Sequence, residues 1–180
     1  MRMIKSVMAL YFSLFNGAVP MLGKDQAFSP DDRSFTIKMP GVPKCATERV
    51  NVFGETVEVH MCVYADVPAH RFYSVTYLNR DRSSLAVDDK TALRGGYEGA
   101  MVMSNSRVIS EREVTIDGFL GIECVWRAND INMSSTKLFV LTKEKMVIVD
   151  ISGQPGKIPA DVIRRFLDTL RITANASSSQ

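Results

Sequence analysis

Residues 108–127 read V-I-S-E-R-E-V-T-I-D-G-F-L-G-I-E-C-V-W-R. Two arms rich in β-branched and aromatic residues flank Asp117-Gly118, a dipeptide suited to the positive φ angles of a tight hairpin turn. The pattern predicts antiparallel strands over 108–116 and 120–127. Downstream, Thr136 to Leu141 and Met146 to Ser152 are two further apolar arms. Lys143-Glu144-Lys145 between them is a connection of hairpin length. Four strands in succession therefore form the core of an antiparallel sheet.

Working toward the N-terminus, Ser34 to Met39 alternates with period two. Phe35, Ile37 and Met39 point one way, Thr36 and Lys38 the other, as in a half-buried strand. Pro40-Gly41-Val42-Pro43 ends it. Lys44 to Val50 and Val57 to Tyr64 read as the arms of a hairpin. On the second arm Val57, Val59, Met61 and Val63 share one face, and Glu58, His60, Cys62 and Tyr64 the other. Phe72 to Leu78 is another strand, with Pro68 breaking the path before it. Asp88 to Met103 is a helix with Asp88 and Asp89 at its N-terminus and a stripe of Leu93, Tyr97, Ala100 and Met101. Ile158 to Leu170 is a second, with Pro159 at N1 and an apolar face of Val162, Ile163, Phe166, Leu167 and Leu170. Arg164, Arg165 and Asp168 read as its solvated face. Strand runs with two long helical segments specify α+β: a mostly antiparallel sheet of six or seven strands with helices packed on its faces.

The first 23 residues have the n-h-c order of a secretory signal peptide: Arg2 and Lys5, the apolar run Val7 to Phe15, then Asn16, Gly17 and Pro20 with small residues. The rival readings are an uncleaved membrane anchor, since Ser6 to Gly23 is free of charge and just reaches a spanning length, and an ordinary buried helix. The chain divides into a leader over 1–23, a lead-in over 24–33, one domain over 34–172 and a polar tail over 173–180. Twenty-two basic and 20 acidic residues give a net charge of +2. Losing the leader removes Arg2 and Lys5 and no acid, so the mature balance is zero. A neutral chain excludes a nucleic-acid partner, which needs a clustered cationic surface. The mean hydropathy of −0.01 and 23% charged content exclude disorder and a polytopic membrane protein.

The cysteines give the sharpest local inference. If Phe53-Gly54 is the two-residue turn of the 44–64 hairpin, Cys45 faces Cys62 as a non-hydrogen-bonded pair, close enough for a disulfide. An exported chain meets an oxidising compartment. The alternatives are two free thiols, or a different loop length that moves the register. Cys124, beside Ile122 and Trp126, reads as a buried apolar residue. His60 with Cys62 and Cys45 could begin a zinc site, but no fourth ligand has suitable spacing and Thr47 is the residue opposite His60. A Cys-His nucleophile pair lacks the group that would orient its base. Asp31-Asp32 and Asp88-Asp89 read as turn and cap residues, and His70 as a surface loop residue. Neither a phosphate loop nor a nucleophile elbow is present. No catalytic residue, cofactor or metal is expected.

The order of F-T-I-K-M-P-G-V-P at 35–43, F-Y-S-V-T-Y-L at 72–78, the Gly-rich helix at 88–101, V-T-I-D-G-F-L-G-I-E at 114–123, K-L-F-V-L at 137–141 and R-R-F-L-D-T-L-R-I at 164–172 resembles the PsbP-like superfamily. The resemblance covers roughly residues 28–172. It implies an α/β/α sandwich around an antiparallel sheet, in domains that bind or assemble and mostly do not catalyse. It transfers no metal-binding or partner-binding residues to this chain.

These readings converge on an exported, extracytoplasmic, non-enzymatic binding or assembly module, with a protein partner in the cell envelope and membrane contact only through residues 1–23 if uncleaved. The competing readings are a carrier of a small apolar ligand, in a cavity lined by Leu93, Tyr97 and Phe166, and a small extracytoplasmic enzyme using His60, Cys62 or a carboxylate pair.

Overall fold

The computed structural model describes residues 25–52, 55–80 and 87–173. In chain order its elements are β1 (Gln26–Phe28), β2 (Phe35–Met39), β3 (Lys44–Val52), β4 (Glu55–Asp66), β5 (Arg71–Asn79), α1 (Asp89–Met103), β6 (Ser106–Ile116), β7 (Phe119–Ala128), β8 (Ser134–Leu141), β9 (Lys145–Gly153), α2 (Ala160–Leu167) and β10 (Arg171–Ile172). Seven strands form one antiparallel sheet in the order β3-β4-β5-β9-β8-β7-β6. It is two meanders, β3 to β5 and β6 to β9, whose last strands pair with Val75 opposite Val149. A smaller sheet has the order β1-β2-β10.

Period-two alternation sorts the large sheet into two faces. On one, Val75, Leu138, Val140, Val147, Val149 and Ile151 pack against Phe35, Ile37 and Met39 of β2 and Phe166, Leu167 and Leu170 around α2. On the other, Ile122, Cys124, Trp126, Phe139 and Leu141 pack against Leu93 and Tyr97 of α1. The architecture is thus sheet-dominated α+β, with α1 on one face and α2 sharing the other with the small sheet. Burial in β2 follows its sequence alternation: Phe35, Ile37 and Met39 are buried and Lys38 is exposed.

Asp88 caps α1, accepting hydrogen bonds from the Thr91 N–H at 3.0 Å and the Thr91 hydroxyl at 2.7 Å. Glycine inside this helix serves packing at Gly96, where an added Cβ would run into the Met146 side chain. At Gly95 the same atom would meet nothing within 4 Å.

Three boundaries differ from the sequence expectation. The second helix is shorter than 158–170, because Pro159 is its extended N-cap (φ −61°, ψ 143°) and Asp168 its C-cap. Residues 171–172 leave the helix pattern to pair with Thr36 and Phe35. The lead-in segment carries β1, whose Gln26 to Phe28 pair with Met39 to Ile37. The leader read over 1–23, the turn Phe53-Gly54 and the tail beyond Thr173 lie outside the described residues. Among the described residues no helix is long and apolar enough to cross a membrane.

Candidate functional site

The β3–β4 hairpin extends past the other described strands of the sheet. β3 pairs with β4 from Lys44↔Val63 to Val52↔Glu55. β5, however, pairs with β4 only from Val59 to Asp66. Among the described residues, 49–52 and 55–58 therefore form a two-stranded ribbon with no third strand beside it, and an isolated two-stranded hairpin is marginal in water.

Cross-strand contacts hold the base of this ribbon. The register puts Cys45 opposite Cys62, with Cα atoms 4.0 Å apart and sulfurs 2.08 Å apart. Cys62 lies in the core at 2% exposure, whereas Cys45 is exposed. One rung outward, Thr47 Oγ1 and His60 Nδ1 are 2.9 Å apart. His60 Nε2 lies 3.2 Å from Glu58 Oε1. The imidazole stacks flat on Tyr77, and Tyr77 in turn meets the edge of buried Phe35 at 5.3 Å between centroids. Burial pushes the Tyr77 hydroxyl pKa up, and the carboxylates of Asp31 and Asp32 push it further. Contacts thus run unbroken from the ribbon through His60 and Tyr77 to the core.

Thr47, His60 and Glu58 have the connectivity of a hydroxyl, a base and an orienting carboxylate. Acyl transfer also needs convergent donors for an oxyanion and exclusion of water. Here the three sit on an edge hairpin, with the Glu58 side chain 47% exposed. The arrangement is suited to holding the two strands in register. Period-two spacing could have paired Glu58 with His60 in advance, since both lie on the same face of one strand.

With the sulfurs joined, neither Cys45 nor Cys62 has a thiolate for a metal or a substrate. Among the described residues no three His, Cys, Asp or Glu side chains gather as a metal site. His70 is exposed in a turn at φ 51°. Cys124 is 1% exposed, and burial pushes its thiol up to about 12, which keeps it protonated. Asp32 accepts from the Ser34 N–H and hydroxyl and pairs with buried Lys145, Nζ to Oδ2 2.5 Å. Lys145 also donates to Asn79 Oδ1 at 2.9 Å. Asp89 pairs with Arg80 at 2.8 Å.

Arg164 corrects an expectation. It is not simply solvated: it grips Glu123 of β7 with two hydrogen bonds of 2.9 and 2.6 Å. Arg112 of β6 binds the same carboxylate at 2.8 Å. Arg165 does face outward, beside Asp161. Tyr73 and Trp126 are core residues, and Phe72 and Tyr77 are half-buried.

The cavity expected between Leu93, Tyr97 and Phe166 cannot form, because Leu93 and Tyr97 lie on the face opposite Phe166. The recess beside Leu93 has a volume of about 20 Å³, room for one water. A larger recess of about 220 Å³ lies on the other face, walled by Val125, Thr136, Ile151, Ile158 and Ile163.

No protein-family model and no curated protein matches the chain. Solved structures do. CyanoP, the cyanobacterial PsbP of Synechocystis sp. PCC 6803, superposes with a TM-score of 0.55 at 12% identity, over 88% of this chain and 99% of that one. This chain has a PsbP-like fold. A Pseudomonas aeruginosa protein of unknown function, PA94, described as a putative regulator, gives a TM-score of 0.45 at 10% identity over 76% of this chain and 88% of its own. The immunity protein TplEi from the same organism gives 0.41 at 12% identity, over 65% of this chain and 45% of its own. At these identities the likeness concerns fold.

Proposed function

We propose that this PsbP-like chain is an exported, non-enzymatic binding or assembly module, and that the β3–β4 ribbon is the arm by which it docks a protein partner of the cell envelope. The observation that carries this reading is the ribbon itself. It projects beyond the described strands of the sheet, and none of its described residues belongs to either core cluster, yet a cross-link and a hydrogen-bonded stack hold its base. Rigidity in a projecting arm lowers the ordering cost of binding. The reading takes residues 1–23 as an export signal and Cys45–Cys62 as a bridge formed in an oxidising compartment. It keeps the PsbP-like superfamily resemblance and the single domain read over 34–172, to which β1 of the lead-in adds a strand.

The carrier reading retains one supporting feature, the recess near Ile158, whose wall mixes Ser134, Thr136 and Gln154 with Val125, Ile151 and Ile163. At about 220 Å³ it falls below the ~300–1,000 Å³ of ordinary small-molecule sites.

Cross-linking followed by co-purification from the envelope fraction tests the proposal. A photoreactive side chain is placed at Arg49, and in a control at Gln154 beside the recess. The expected result is a discrete protein adduct from position 49 and none from 154. An adduct only from 154, or none from either, would overturn it.

A further inference from the structure

We propose that the outer edge of β3 receives an extended segment of the partner protein as an added antiparallel strand, a proposal that rests on the docking role of the ribbon. The two edges of the large sheet differ. β6 is guarded: its pairing with β7 is interrupted by a bulge between Val108 and Ser110, and Arg107, Glu111, Arg112 and Glu113 stud it with charge. Bulges and charges are the usual protection of an edge against strand pairing. β3 pairs with β4 over nine consecutive residues without a register shift. Among the described residues no strand lies on its outer side.

The register says which backbone groups are open. The 4.0 Å Cα separation marks Cys45/Cys62 as a non-hydrogen-bonded pair. By alternation Thr47/His60 and Arg49/Glu58 are non-hydrogen-bonded pairs too. The N–H and C=O groups of Cys45, Thr47 and Arg49 therefore point away from β4, and all three residues are exposed. Three such residues present three donors and three acceptors in strand geometry, the main-chain template of β-augmentation.

Side chains on β3 set the partner's chemistry. Arg49 is 78% exposed and held only loosely by Glu58 at 3.8 Å. Glu48 precedes it on the opposite face, and Ala46 and Val50 are half-buried beside it. Opposite charges directly across a strand pair are favourable and like charges are not. The complementary antiparallel segment thus reads, N to C, apolar, acidic, basic, polar, apolar, with its acid opposite Arg49 and its base opposite Glu48.

The test titrates the full, oxidised, ¹⁵N-labelled chain with the blocked heptapeptide Thr-Val-Glu-Lys-Thr-Val-Thr. Saturable shift changes are expected, largest at the amides of Cys45, Thr47 and Arg49. Exchanging the Glu and Lys of the peptide should weaken binding about tenfold. Thr47→Pro and Arg49→Pro, which each delete an outward N–H and leave the β4 ladder intact, should abolish it. Thr47→Val, which keeps the N–H and loses the hydroxyl, should not. Shifts elsewhere, or none, or equal binding of both peptides, would overturn strand addition. Docking by the ribbon is judged separately by the adduct from position 49: if that adduct persists in the Thr47→Pro variant, the ribbon docks by its side chains and strand addition fails alone.

Discussion

His60 lies flat on Tyr77, with ring centroids 4.7 Å apart and planes 10° from parallel. Because Tyr77 belongs to β5 and His60 to β4, the stack joins the strand that carries the ribbon to the next interior strand of the sheet. Tyr77→Ala removes that platform together with its edge contact to Phe35. A loss of about 2 kcal/mol in urea unfolding is expected, below the 3–5 of a fully buried aromatic because Tyr77 is half-buried. Tyr77→Phe should keep most of the stability, and an unchanged Tyr77→Ala midpoint would refute the anchoring role.

The covalent tie gives a second expectation. Cys45 and Cys62 are separated by 17 positions, a loop for which cross-linking is worth about 3 kcal/mol. Cys62→Ser should therefore unfold at lower urea in oxidising buffer, and reduced wild-type protein should fall to a similar level. Equal midpoints for oxidised and reduced wild type would show that the pair is not bridged.

Glu123 makes stability depend on acid pH. Burial pushes its carboxyl up, and the hydrogen bonds and charges of Arg164 and Arg112 outweigh that and hold it below the ordinary glutamate value. A carboxyl depressed in the folded state adds stability that is fully present above its unfolded pKa. That stability is lost as pH falls through the folded pKa. Glu123→Gln should cost about 1–2 kcal/mol at neutral pH, after discounting for the partly exposed Arg164. The gap from wild type should close on acidification below the usual glutamate range; a constant gap would contradict it.

Cys124 should behave as a core residue. With its thiol pushed up to about 12 by burial, the native protein should resist a thiol-specific disulfide reagent at pH 8 and react within mixing time once unfolded. Fast labelling of the native state would place the thiol outside the core.

Helix α1 offers a stabilising change. Gly95→Ala should gain about 0.5–1 kcal/mol, since the new methyl meets nothing and the unfolded chain loses freedom. Gly96→Ala should gain less, because Met146 has to move. Thermal unfolding of the two variants measures the difference.

Local chemistry made much of this fold legible. Phe35, Ile37 and Met39 alternate in the sequence and are buried together in the structure. Asp117-Gly118 turns the β6–β7 hairpin with both residues at positive φ. What could not be read was tertiary. Two residues, Arg171 and Ile172, carry no period; they become a strand by pairing with Thr36 and Phe35 of β2, where Ser34 O accepts the Thr173 N–H, and Asp117 Oδ2 accepts the Ile172 N–H. A stripe such as Leu93 and Tyr97 shows that a helix is covered, but not on which face of the sheet it lies, so the cavity with Phe166 was misplaced. Arg164 finds Glu123 across 41 positions, and no spacing rule links them. At the site, the Cys45–Cys62 register followed from one assumed turn, while the projection of the ribbon appears only once β5 is seen to pair with β4 no further out than Val59.

Amide hydrogen exchange on the complex with a partner recovered from the envelope tests the docking claim most directly. Protection on binding should concentrate in peptides spanning 44–62 and leave 154–163 unchanged. Protection confined to 154–163 beside the Ile158 recess, with the ribbon exchanging as in the free protein, would contradict it.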